Sequence, residues 1–286
     1  MILVSIFFGA SETGVSLKSS ADAELIETSA EISDTSVQSP QYIGHDQNQD
    51  GAVKSQIYAV YSLQGNKISA VEESKRWPIA SLTKLMTALV ARDLIPASTK
   101  IKIGEIDPET EGYAGGFSAG EIFSRKDLEK SLLMTSSNTA ANAIADSYGK
   151  ERFIDAMRSY VDKVGMINTY FDDPTGLSYK NQSTAEDLDK LINYILINEP
   201  EIFKITRTKS DRIYDYGSGR RREVLNINEF AGETGFIGGK TGTTPEAVGN
   251  LISIFSSDGG KSGKVIILLG SEDRFYETRN ILEKFK

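Results

Sequence analysis

The chain of 286 residues contains no cysteine, a single histidine and a single tryptophan. Without cysteine it has no disulfides, no thiolate metal site and no cysteine nucleophile. The compartment stays open on this count, because a thiol-free chain suits oxidising and reducing spaces alike. Any Ser-His-Asp triad or histidine-ligated zinc would have to run through His45. Positive charge is in deficit too: 32 Lys and Arg against 40 Asp and Glu leave a net charge of -8. That balance argues against a non-specific nucleic-acid binder. Nor is there an apolar run of the roughly 20 residues that a membrane-spanning helix needs. What remains, 39% hydrophobic and 25% charged, is the composition of an ordinary soluble globular protein. The length allows one large domain or two small ones.

Residues 1–10, MILVSIFFGA, are almost wholly apolar. They read as a truncated export signal or N-terminal membrane anchor, although no basic segment precedes them and no A-x-A site follows. Residues 11–54 carry eight acids against two lysines, which is -6 of the total -8. Low hydrophobicity with concentrated like charge cannot offset ordering entropy, so this stretch reads as a flexible tether. His45 falls inside it, which leaves the expected domain, residues 55–286, free of histidine.

Within that domain, Gln56–Ser62 alternates and is rich in β-formers. Gln64-Gly65-Asn66 turns it into a second strand, Lys67–Val71. Leu82, Leu85, Met86, Leu89 and Val90 recur at helical spacing between Ser81 and Asp93. Further helices are predicted at Arg125–Met134, Thr139–Tyr148 and Lys150–Val164, the last closed by Gly165. Ser183-Thr184-Ala185-Glu186 reads as a capping box opening a helix to about Ile197. A hairpin is predicted around Gly217-Ser218-Gly219, then strands at Ile237–Thr243, Gly249–Ser256 and Lys264–Gly270, and a last helix, Asp273–Phe285. Strands at both ends with helices between them predict one sheet closed by both termini around a helical insertion.

A hydrolase without histidine or cysteine can use a serine activated by a lysine. Ser81-Leu82-Thr83-Lys84 offers that pair at i,i+3, on one helix face. At a helix start the Ser81 amide has no intrahelical partner and is available to an oxyanion. Alone, the pattern is common by chance and reads as a capping serine with a surface lysine. Ser136-Ser137-Asn138 sits between two predicted helices, where short polar residues are usually caps. A hydroxyl for proton transfer and an amide for a substrate carbonyl is the functional alternative. Gly238-Gly239-Lys240-Thr241-Gly242-Thr243-Thr244 lies on a predicted strand, and glycines there mark a close approach of ligand or backbone. Lys240 is then a fixed cation, suited to binding a carboxylate and to lowering a neighbouring lysine's affinity for protons. Gly235-Phe-Ile-Gly-Gly-Lys-Thr is one spacer short of a phosphate-binding loop, and no helix follows it.

Taken in order, S-x-x-K, S-x-N and K-T-G form a set of the type found in β-lactamases and penicillin-binding proteins. The chain resembles the serine D-alanyl-D-alanine carboxypeptidase/endopeptidase family, the low-molecular-weight penicillin-binding proteins, from about Gln56 to its last residue. Ala80–Ala88 looks like that family's nucleophile segment, and Gly239–Thr244 like its substrate strand. Asp173-Pro174-Thr175-Gly176-Leu177 and Ser183–Leu188 look like the stretch between them. The resemblance implies a β-lactamase/transpeptidase-like fold: an α/β chain of α+β type, with a mostly antiparallel five-stranded sheet, flanking helices and an inserted helical subdomain. It implies Ser81 as the acylated nucleophile, Lys84 as its base, Ser136 as a proton relay and Asn138 as a ligand of the substrate amide. Lys240, Thr241, Gly242 and Thr243 would form the substrate strand. Lys240, Thr241 and Thr243 would hold the terminal carboxylate, and the amides of Ser81 and Thr243 the oxyanion.

No metal or cofactor is implied. Peptidoglycan stem peptides are the implied substrate, β-lactams the covalent inhibitors, and an extracytoplasmic site the implied location. The extra C-terminal domain of many relatives has no counterpart, so attachment would fall to the N-terminal segment. The Asp-Pro-Thr-Gly-Leu-Ser form resembles the endopeptidase branch more than the carboxypeptidase branch. A serine β-lactamase and an inactive peptidoglycan-binding scaffold of the same fold are the alternatives. The first would need a deacylating glutamate that Thr169–Leu177 does not supply, and the second fits poorly with intact motifs.

Overall fold

The computed structural model describes residues 53–106, 115–256, 258 and 262–285. The apolar start at residues 1–10, His45 and the acidic stretch up to residue 52 lie outside the described residues. The expected N-terminal hairpin is present, with β1 (Ile57–Ser62) and β2 (Lys67–Val71) paired antiparallel. A two-residue strand, β3 (Trp77–Pro78), leads through a 3-10 turn (Ala80–Leu82) into α1 (Thr83–Leu94). β4 (Lys100–Lys102) pairs with β5 (Ile122–Ser124). Three helices follow: α2 (Arg125–Met134), α3 (Asn138–Tyr148) and α4 (Lys150–Val164). β6 (Gln182–Ser183) pairs with β3, and α5 (Ala185–Asn198) and α6 (Glu201–Thr206) complete the helical insertion. β7 (Ser210–Tyr214) and β8 (Arg221–Leu225) form a hairpin of their own. The chain returns to the main sheet with β9 (Phe236–Thr244), β10 (Val248–Phe255) and β11 (Lys264–Leu269), then α7 (Arg274–Lys284).

The main sheet has the order β2-β1-β11-β10-β9 and is antiparallel throughout. The period of two along β11 shows why it needs helices on both sides. Val265, Ile267 and Leu269 join the large core with Leu85, Met86 and Leu89 of α1. Ile266 and Leu268 point the other way, onto Ile281 of α7. Each of these side chains contributes about 1.5–3 kcal/mol by leaving water. The arrangement puts β9 at one edge of the sheet, with one side unpaired and facing the helical insertion.

Helix starts follow local chemistry. Ser124 accepts the Asp127 amide to cap α2, and Ser137 accepts the Ala140 amide at 3.2 Å to cap α3. Gly165 ends α4 in the left-handed region, at φ 80°. The cap of α5 is one residue later than the sequence pattern indicates: Thr184 accepts the Asp187 amide, while Ser183 belongs to β6 and meets Thr169 Oγ1 at 2.7 Å. The pattern also does not anticipate the β3–β6 and β4–β5 pairs or α6. All five are segments of two to six residues, too short to show a period.

Candidate active site

Ser81 sits in the 3-10 turn at the head of α1. The turn is held from outside: the Ile79 amide donates to Asn181 O at 2.9 Å, Asn250 Nδ2 to Pro78 O at 2.9 Å and Trp77 Nε1 to Ala247 O at 3.1 Å. Ala80 adopts φ +47°, a conformation that costs a non-glycine residue about 1–3 kcal/mol and persists only where the surroundings enforce it. Lys84, three residues on, is fully buried. Its Nζ lies 2.8 Å from Ser81 Oγ, 2.7 Å from Asn138 Oδ1 and 2.8 Å from Thr175 O. The i,i+3 spacing read from the sequence therefore becomes a direct contact between hydroxyl and amine.

Ser136 occupies the corner between α2 and α3 with φ +61°. Its hydroxyl accepts a hydrogen bond from Lys240 Nζ at 2.8 Å, and Lys240 also donates to Thr241 O at 2.8 Å. Lys240 is 1% exposed. Burial holds its ammonium well below the usual lysine range, with Lys84 and Arg274 adding repulsion in the same direction. Ser136, the expected proton relay, is thus paired with Lys240, and Lys84 meets Asn138.

β9 lies directly against the serine turn. A Cβ on Gly242 would come within 2.9 Å of Ile79 O and 3.2 Å of the Ser81 nitrogen. Only a residue without a side chain lets the strand edge and the serine amide face each other so closely. Thr241 is buried beside Lys240, and Thr243 is exposed at the end of the strand. The eight residues singled out from the sequence thus converge on one seam between the helical insertion and the sheet edge.

Several participants carry no sequence signal of the same strength. Arg274, first residue of α7, donates from Nη1 to Gly242 O at 2.8 Å and to Thr243 Oγ1 at 2.5 Å. It places a second cation beside the strand, and the sequence pointed to its location only through the predicted last helix, Asp273–Phe285. Thr175 enters through a main-chain carbonyl, which no side-chain motif can announce. The Asp173 carboxylate accepts from the Thr175 and Gly176 amides and from Thr175 Oγ1 and the Ser178 amide, at 2.6–2.7 Å. The linker that faces Lys84 therefore offers it a carbonyl, and the neighbouring carboxylate of Asp172 is committed to Ser178 Oγ.

A serine paired with a buried lysine between an antiparallel sheet and a helical insertion defines the penicillin-binding-protein and DD-transpeptidase class of fold. Penicillin-binding protein D2 from Listeria monocytogenes, solved in an ampicillin-bound form, superposes with a TM-score of 0.72 and 27% identity, covering 81% of this chain and 98% of that one. Residues 44–269 match the D-alanyl-D-alanine carboxypeptidase family, and the chain belongs to that family. Among curated relatives, the D-alanyl-D-alanine endopeptidase of Haemophilus influenzae is 30% identical over 81% of this chain and 82% of its own length. The D-alanyl-D-alanine endopeptidase of Escherichia coli (strain K12) is 44% identical over 119 residues, 40% of this chain. That match and the similar one from Pseudomonas aeruginosa span 38% of those relatives' lengths.

Proposed function

We propose that this chain is a serine-type D-alanyl-D-alanine peptidase of peptidoglycan stem peptides, working through an acyl-enzyme on Ser81. The observation that carries the reading is the fully buried Lys84 amine at 2.8 Å from the hydroxyl of Ser81, a residue that keeps partial exposure. The stem peptide adds to the open edge of β9, and its C-terminal carboxylate lies against Thr241, Thr243, Lys240 and Arg274. Ser81 Oγ attacks the carbonyl carbon of the penultimate D-alanine while its proton passes to Lys84. The amides of Ser81 and Thr243 hold the oxyanion, the largest single contribution in acyl transfer of this kind. As the C–N bond breaks, Lys84 gives up the proton it took from Ser81, which reaches the leaving nitrogen by way of the Ser136 hydroxyl, itself held by Lys240. Water then attacks the ester carbonyl while Lys84, neutral again, takes one of its protons, and that proton passes to Ser81 Oγ as the acyl bond breaks. β-Lactams present a strained amide to the same nucleophile and would be covalent inhibitors.

The linker Thr169–Leu177 contains no glutamate, and Asp173 accepts four donors of its own turn, which favours this reading over a β-lactamase. The Asp-Pro-Thr-Gly-Leu-Ser stretch and the names of the relatives above favour cleavage of cross-links over trimming of pentapeptides. The reading also carries an extracytoplasmic location, with residues 1–10 as signal or anchor and residues 11–54 as tether. No helix among the described residues is long and apolar enough to cross a membrane. Mass spectrometry of the protein incubated with pentapeptide and with cross-linked dimer muropeptides tests the proposal. The expected result is an acyl adduct on Ser81 with release of product from at least the dimer. Intact muropeptides and an unmodified Ser81 would leave a binding scaffold.

A further inference from the structure

We infer that the turn built by Asp173 aims the Lys84 amine at Ser81, which makes Asp173 a positioning residue for acylation. The inference rests on Ser81 and Lys84 acting as nucleophile and base, as proposed above. To accept the serine proton, Lys84 must be a neutral amine with two N–H donors and one lone pair. Of the three oxygens already placed against its Nζ, Asn138 Oδ1 and Thr175 O can only accept. Two hydrogens committed to two pure acceptors direct the lone pair along the remaining tetrahedral direction, towards Ser81 Oγ. Of the three, that oxygen alone carries a proton. Without Thr175 O, rotation about the Cε–Nζ bond would turn a hydrogen, in place of the lone pair, towards the hydroxyl.

The Thr175 carbonyl has little freedom of its own. Asp173 Oδ1 accepts from the Thr175 amide, Thr175 Oγ1 and the Gly176 amide, and Oδ2 accepts from the Ser178 amide. Four donors on one carboxylate are charge-assisted bonds, about twice as strong as neutral ones. They close residues 173–178 into a turn that presents its carbonyls to α1. Pro174 O takes Thr87 Oγ1 at 2.6 Å, and Thr175 O takes Lys84 one turn earlier. Asn181 ties the same turn to the helix start. Its Oδ1 accepts the Asp172 and Asp173 amides, and its Nδ2 donates to Thr83 Oγ1 at 3.1 Å. Gly176, at φ +87°, seats the turn so close that a Cβ there would lie 2.0 Å from Ala80 O. The turn is thus fixed to the nucleophile's own backbone on one side and to its base on the other.

Asp172 serves as an internal control. It carries the same charge one residue away, yet it is bonded to Ser178 Oγ and to none of the amides at 175 and 176. The experiment is time-resolved acylation of the full chain by a fluorescent penicillin, separating the acylation rate constant from the affinity of the prior non-covalent complex. Rates are normalised to folded protein, with melting temperature measured alongside. Asp173→Asn keeps the shape but turns an N–H group towards amides that need an acceptor. It is expected to slow acylation about 10- to 100-fold, the scale for misplacing a reacting group by about 1 Å. Affinity should stay within about twofold, since Asp173 and Thr175 are committed to bonds within their own turn and to Lys84. Thr175→Val, which removes one donor of the four and keeps the fold, should give a smaller loss with the same split. Asp172→Asn should acylate like the parent. Wild-type acylation in Asp173→Asn and Thr175→Val, a drop matching the loss of folded protein, or an equal drop in Asp172→Asn would overturn the inference. Continued labelling of Ser81→Ala would instead overturn the underlying nucleophile assignment, so the two failures are distinct.

Discussion

Two of the buried polar sites among the described residues are built differently. The seam between β9 and the helical insertion buries two lysines and gives each of them oxygen partners from defined elements. On the far side of α5, Asp189 is also buried, but only one of its carboxylate oxygens is satisfied, by Asn193 Nδ2 at 2.9 Å. Its Oδ1 has no hydrogen-bond partner. Burial pushes the Asp189 carboxyl up to about 6. The contrast teaches what a satisfied network achieves. In the seam, partners convert costly burial into orientation and altered proton affinity. At Asp189 the same low-dielectric surroundings are only a cost.

The contrast can be tested at several strengths. Ser81→Ala should abolish covalent penicillin labelling while circular dichroism and melting temperature stay near those of the parent; full labelling would remove Ser81 from the seam. Lys240→Gln comes next, with acylation slowed about 10²-fold, as for the loss of one preorganised electrostatic group. Stability gives this variant a second signature. The folded-state proton affinity of Lys240 lies well below the ordinary value near 10.5, so the unfolded chain binds more protons between the two. Wild-type stability should therefore rise with pH through that window, and the Gln variant should lack the rise. Lys240→Arg retains the charge but must force a larger planar group into a site 1% exposed, so it should lose both rate and melting temperature.

Gly176→Ala probes the seat of the linker turn rather than its charge. A Cβ 2.0 Å from Ala80 O must push the turn away, and acylation should fall by about tenfold with a lowered melting temperature. The smallest effect belongs to the other site. Because the Asp189 carboxyl is raised from 3.8 to about 6, folding favours its protonated form. That advantage is complete below about 4 and is lost as pH rises through about 6. Asp189→Asn should then stabilise the protein at pH 7–8 by on the order of 1 kcal/mol, after allowance for partial solvent screening, and by much less at pH 4. Chemical denaturation at the two pH values measures this directly, and equal stability changes at both would show that Asp189 is adequately solvated.

The seam was readable in the sequence where side-chain chemistry and spacing coincide. Ser81 and Lys84 fall on one helix face by period alone, and the glycines around Lys240 signal a strand that something must approach. The five-stranded sheet was readable too, because its strands are long enough to alternate. Thr175 was not, since a main-chain acceptor leaves no residue-type signature. Arg274 reaches β9 from the far side of the sheet through a β11–α7 connection whose direction no local pattern encodes. The α5 cap moved by one residue because Ser183 and Thr184 are chemically equivalent as caps, and pairing of β6 with β3 decided which was free to serve.

The sheet register has a consequence for synthesis. Ile57 of β1 pairs with Leu269 of β11, so the first strand of the domain waits for a partner roughly 200 residues downstream. At the usual ~5–20 residues per second, that wait lasts on the order of 10–40 s on the ribosome. Ser81 and Lys84 emerge in the first half of that interval, while Lys240 and Arg274 emerge near its end. A nascent chain therefore displays a hairpin with a bare edge long before it has an active site, and the two halves of the catalytic seam meet only once β9, β10, β11 and the start of α7 have been made.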